Sequence, residues 1–146
     1  MNYESKMPFD YIPGARRFLD ALSRSGVRMA VVTSSDKTKM SNVYRRHPEF
    51  LDIFDRILTS EDFAASKPSP DCYLKGMAAL GADSAHTVVF EDSISGLISG
   101  MDSGATVVAL STTNPVDVVS RYADYVIPDF SDRSFQDFIG HKNVHE

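Results

Sequence analysis

The sequence is poor in the features that mark several protein classes. One cysteine, Cys72, occurs in 146 residues, so no internal disulfide framework exists, and a lone thiol suits a reducing compartment. No apolar run approaches the roughly 18–20 residues that a membrane-spanning helix needs, and residues 1–13 lack the apolar centre of a signal peptide. There is no basic surplus either. Fifteen Lys and Arg stand against 20 Asp and Glu, a net charge of −5, which leaves no excess with which to neutralise a nucleic-acid backbone. Internal repeats and low-complexity linkers are missing. What is present, 42% hydrophobic and 24% charged residues, suffices for one domain with one proper core and is too short for two. The expectation is a cytoplasmic globular domain that binds neither nucleic acid nor membrane.

Short apolar runs alternate with helix-like stretches. Ala15, Phe18, Leu19 and Leu22 share one face of a helix over about 15–25, which Gly26 stops. Val27–Val32 is nearly continuous in apolar residues, as suits a strand buried on both faces of a parallel sheet. A second helix runs to about Arg46, before His47-Pro48. Residues 56–58 read as a short strand. Ser69-Pro70 opens a helix, with Ser as cap and Pro in its first turn, that Gly81 ends. Strands follow at 87–90, 107–110 and 125–127. Helices lie between them at about 95–103 and from Asn114-Pro115 to about Tyr122, and a further short helix is expected near 134–139. Regular alternation of this kind predicts an α/β fold with a mainly parallel sheet and right-handed crossovers. Ligands then bind beyond the carboxyl ends of the strands.

Three clusters fall at such places. Thr33-Ser34-Ser35 follows Val31-Val32, where a hydroxyl and the amides of a helix start can hold a phosphate oxygen, or simply cap the helix. Lys67 stands before Pro68 and Pro70, which stiffen the backbone around a point charge suited to a phosphoryl group or a nearby carboxylate. Glu91-Asp92 ends an apolar strand, where burying acids unpaired is expensive and hard oxygen ligands suit Mg²⁺. Each has a plainer reading as a cap, a surface lysine or an acidic helix start. Together they read as a phosphoryl site in which lysine and metal offset the charge on the transferring group.

The stretches Ile12-Pro13-Gly14, Val31–Ser35, Ser66–Asp71 and Phe90–Gly96, with Gly104–Ala109, resemble the haloacid dehalogenase superfamily in its β-phosphoglucomutase-like phosphatase branch. The likeness runs from about residue 13 to 127. It implies a Rossmann-like core and Mg²⁺-dependent chemistry on a small phosphorylated metabolite, a sugar phosphate by this likeness. By the same likeness Thr33 binds the phosphoryl oxygen with Ser34 beside it, and Lys67 steadies the phosphoryl group and the nucleophile. Asp92 holds Mg²⁺, Glu91 helps directly or through water, and Ser93 supports the loop.

The family's first motif is an aspartate nucleophile with a second aspartate two residues on. This chain has 15 Asp and no Asp-x-Asp anywhere. Asp10 follows no apolar strand, and Asp52 and Asp55 are three apart. The resulting expectation is a carboxyl-terminal core portion, without nucleophile or cap, with a partial Mg²⁺ site that binds the ion weakly or not at all, and inactive alone. It comprises a remnant of the cap connection at 1–13, an α/β core at 14–140 and a flexible tail at 141–146. By resemblance the missing strand lies between those at 27–32 and 87–90. The gap is expected to close by direct pairing of those two strands, by a strand swapped from a neighbouring copy in a homo-oligomer, or by the N-terminal residues, since open edges recruit partners.

Two other classes fit less well. A binding module would keep the Thr33 and Lys67 cradle for recognition without turnover. A phospho-receiver would show acids, then hydroxyl, then lysine, whereas the order here is hydroxyl, lysine, acids. Cys72 and the phenylalanines at 9, 18, 50, 54 and 63 read as packing, Met77 and Met101 as helix interior, and the four histidines form no metal-ligand spacing.

Overall fold

In a computed structural model, residues 14–131 are described. The expectations for residues 1–13, Phe9 among them, and for the helix and tail beyond 131 lie outside them. Helix α1 spans Ala15–Arg24, strand β1 Ala30–Val32, α2 Lys37–Arg46, α3 Phe50–Ile53 and β2 Arg56–Leu58. Then follow α4 (Asp71–Leu80), β3 (Val88–Glu91), α5 (Ile94–Asp102), β4 (Thr106–Leu110), α6 (Val116–Val119) and β5 (Tyr125–Ile127). Every described strand pair is parallel.

The α/β reading of the sequence is the architecture found. Val107 and Ala109 of β4 enter one core cluster with Met77 and Leu97, while Val108 and Leu110 enter the other with Phe18, Met40 and Phe50. All four are fully buried, so β4 has helices over both faces and carries an apolar run rather than an alternating one. Helix α4 ends where expected: Gly81 takes φ 67°, a left-handed conformation that side chains resist. Its start differs by one residue, with Pro70 at the cap and the Ser69 hydroxyl accepting from the Asp71 amide at 3.2 Å. Met101, expected in a helix interior, is 41% exposed.

The strands form two separate groups, β1–β2 and β3–β4–β5. Direct pairing of the strands around 27–32 and 87–90 is therefore overturned. Between them lies a cavity of about 570 Å³, walled by Ala30–Val32 on one side and Val88–Phe90 on the other. Each wall is fixed by its own neighbours. Gly76 of α4 packs so closely on Val32 that an added Cβ would sit 3.1 Å from it, while Val89 lies under Gly100 of α5. Phe18, Phe90 and Phe130, which also line the cavity, are in mutual ring contact with centroids 5.4–5.5 Å apart, Phe18 edge-on to Phe90 and stacked on Phe130, and Phe90 tilted against Phe130. Both core clusters draw on both strand groups, the first through the partly buried Ile57 of β2 and the second through Val32 and Leu58.

Candidate functional site

Glu91 is the last residue of β3 and its side chain is fully buried. An isolated carboxylate there would cost several kcal/mol, yet every side of this one is met. Its Oε2 accepts from Lys67 Nζ at 2.9 Å and from the Tyr73 hydroxyl at 2.8 Å. Its Oε1 accepts from the Asp92 amide at 3.0 Å and from the amide and hydroxyl of Ser93 at 3.3 Å. Burial pushes the Glu91 carboxyl up, but the Lys67 ammonium and these donors overcome it and hold the group well below the usual carboxylate range. Lys67 is only 5% exposed in its side chain; burial works against its charge, and Glu91 outweighs that and raises its pKa.

Local sequence builds this arrangement. Asp71 accepts from the amides of Ala64 and Ala65, which folds the loop leading to Lys67. The Ser99 hydroxyl donates to the Ser69 carbonyl at 2.7 Å, tying that loop to α5. The Lys67–Pro68 peptide is cis. Ser93 caps α5 by accepting from the Gly96 amide at 3.1 Å. Gly96 is needed for another reason: a Cβ built on it would sit 2.2 Å from the Glu91 Cδ and Oε2, far inside contact distance.

Asp92 differs from its neighbour. One oxygen accepts from the Thr113 hydroxyl at 3.0 Å, and the Asn114 side-chain amide donates to the Asp92 carbonyl at 3.2 Å. The other oxygen, Oδ1, is buried with no hydrogen-bond partner. Burial, with the Glu91 carboxylate alongside, raises the Asp92 pKa to about 6. A buried carboxylate oxygen without a donor is the kind of group a hard cation satisfies, so Asp92 fits Mg²⁺. Glu91, expected to help, has both oxygens already engaged by protein donors. Among the described residues no group of three His, Cys, Asp or Glu side chains gathers to hold a metal.

Thr33 continues β1, its amide donating to the Leu58 carbonyl at 3.0 Å. It is fully buried, and its Oγ1 accepts from the Ser35 amide at 3.1 Å. Ser34 is exposed. Lys67, Glu91, Asp92 and Ser93 thus form one hydrogen-bonded group at the carboxyl end of β3, while Thr33 and Ser34 stand at the carboxyl end of β1; none of these six residues lines the cavity between the strands. Sequence reasoning missed Tyr73, Gly96, Thr113 and Asn114. Tyr73 carries no reading of its own in the sequence, and Asn114 reads as a cap of the next helix, where the structure instead has Pro115.

Residues 2–110 match the family model described as haloacid dehalogenase-like hydrolase. Hexitol phosphatase A of Escherichia coli is 34% identical over 115 residues, covering 74% of this chain and 52% of that protein. β-Phosphoglucomutase of Mycobacterium tuberculosis is 30% identical over 125 residues, covering 82% and 48%. The crystal structure of a HAD hydrolase, family IA, variant 3, from Entamoeba histolytica superposes with a TM-score of 0.80 at 26% identity, covering 90% of this chain and 60% of that one. The chain spans about half the length of these two curated relatives. With a parallel α/β core, a buried lysine–glutamate pair and a matching family model over most of its length, this chain belongs to the haloacid dehalogenase-like hydrolases.

Proposed function

We propose that this chain carries the phosphoryl-holding half of a Mg²⁺-dependent phosphatase or phosphomutase acting on a small phosphorylated metabolite of the sugar-phosphate kind. The observation that carries this reading is the Lys67–Glu91 pair beside Asp92, whose Oδ1 has no partner, at the carboxyl end of β3. Relatives named for hexitol phosphatase and β-phosphoglucomutase activity support the substrate class. The lone cysteine, buried in α4, suits a cytoplasmic setting.

Each residue has a role in this reading. The Lys67 ammonium, held in place by Glu91, sets a positive charge toward the phosphoryl oxygens. The Thr33 hydroxyl and the amides beginning the next loop bind one of those oxygens. Asp92 would hold Mg²⁺, which when bound neutralises charge on the transferring group. Ser93 fixes the loop through Glu91 and the α5 amides. The attacking carboxylate and its acid/base partner are not supplied here, because the sequence has no Asp-x-Asp. The chain alone is therefore inactive, and in the complete enzyme turnover passes through an aspartyl-phosphate.

The test is hydrolysis of p-nitrophenyl phosphate with Mg²⁺ by this chain. No turnover above background is expected, and turnover abolished by Lys67→Ala would overturn the reading. A second reading, a module that holds phosphate without turning it over, is favoured by how fully Lys67 is anchored without a nucleophile. Calorimetry with inorganic phosphate and Mg²⁺ separates the two: binding without turnover supports the module.

A further inference from the structure

The Tyr73 side chain is buried, at 8% exposure, and meets both halves of the ion pair. Its hydroxyl donates to Glu91 Oε2 at 2.8 Å, the same oxygen that accepts from Lys67 at 2.9 Å. Its ring lies under the Lys67 ammonium, with 5.4 Å from Nζ to the centroid. One side chain from the first turn of α4 thus touches the carboxylate by its polar tip and the ammonium by its face. A lysine side chain has four rotatable bonds, and a single acceptor leaves it free to pivot. A carboxylate pinned from a second direction, together with an aromatic face beneath the cation, removes that freedom.

We infer that Tyr73 is a positioning residue, fixing the direction of the Lys67 ammonium through Glu91 Oε2 and the ring face. It does not touch the phosphoryl group itself. The inference rests on the functional reading only for why the direction matters; the geometry stands whether or not the chain binds phosphate. Core packing alone would ask for a ring and not for a hydroxyl. Phenylalanine would then serve equally well, and the two accounts part at that substitution.

The test is hydrogen exchange of the Lys67 ammonium protons, read by NMR on the lysine-labelled chain without phosphate or Mg²⁺, in the parent and in Tyr73→Phe. Losing a hydrogen bond to a charged group should speed that exchange about tenfold or more, while amides in β4 keep their protection. Unchanged Lys67 exchange, or acceleration shared equally by the β4 amides, overturns the inference. Should Tyr73→Phe fail to fold, the unmodified chain decides. A slowly exchanging Tyr73 hydroxyl proton with a cross-peak to the Lys67 ε-methylene supports the inference, and its absence overturns it. No readout depends on turnover or ligand binding, so failure of the proposed function and failure of this inference are told apart.

Discussion

Lys67 Nζ and Glu91 Oε2 stand 2.9 Å apart, joining residues 24 positions distant in sequence, with side chains that are 5% and 0% exposed. A pair this deep adds little net stability against a well-packed apolar alternative, but breaking it strands a charge. Lys67→Ala should lower the unfolding free energy by about 3–5 kcal/mol at pH 7, measured by urea denaturation. Replacing both residues with apolar side chains of similar volume should recover most of that loss. A single substitution without effect would mean that water reaches Glu91.

The pair and Asp92 should respond to acid in opposite senses. The Glu91 carboxyl is held low in the folded state, so its contribution is present above the ordinary carboxylate range and is lost only as strong acid protonates the folded protein. The Asp92 carboxyl is raised from 3.8 to about 6, so the folded state binds the extra proton and stability falls as pH rises through that window. Asp92→Asn should therefore flatten the melting temperature between pH 4 and pH 6, and raise it above pH 6. A melting curve that keeps its slope in the variant would place the titration elsewhere.

Mg²⁺ should compete with that proton. Added Mg²⁺ should raise the melting temperature of the parent more at pH 7.5 than at pH 5, on either side of the raised Asp92 value of about 6. The effect should vanish in Asp92→Asn. A shift that survives that substitution would assign the cation to other ligands.

Gly96 offers a steric test. Gly96→Ala drives a methyl group into the Glu91 carboxyl and should cost more than the about 1–3 kcal/mol typical of overpacking. Gly100→Ala, on the same helix, meets only the Val107 and Val89 side chains at 3.0 and 3.2 Å and should cost less. Equal losses, measured by chemical denaturation, would show that helix α5 shifts freely.

Much of the fold was legible because its signals are local. Val107–Leu110 announces a strand buried on both faces, and Gly81 and Gly104 mark helix ends by the φ values of 67° and 86° that they adopt. Residues 125–127 fall on β5 as expected. Helix α3 and the 3₁₀ turns at 60–62 and 84–86 were missed because three or four residues carry no periodicity. At the site, Lys67, Glu91 and Asp92 stood out as charges at the ends of apolar runs. Their division of labour did not, since only the folded chain brings Lys67 and Tyr73 to one Glu91 oxygen and leaves Asp92 Oδ1 bare. The place of a missing strand between β1 and β3 comes from the family resemblance, whereas the failure of those two strands to pair directly was not legible in the sequence.

The central claim is that the carboxyl ends of β1 and β3 serve one anion. Amide NMR during titration with inorganic phosphate in the presence of Mg²⁺ tests it most directly. The account predicts that the resonances of Thr33, Ser34, Ser35, Lys67, Asp92 and Ser93 move together along one binding curve, and that Lys67→Ala abolishes the movement at all of them. Movement confined to one strand end, or surviving that substitution, would contradict it.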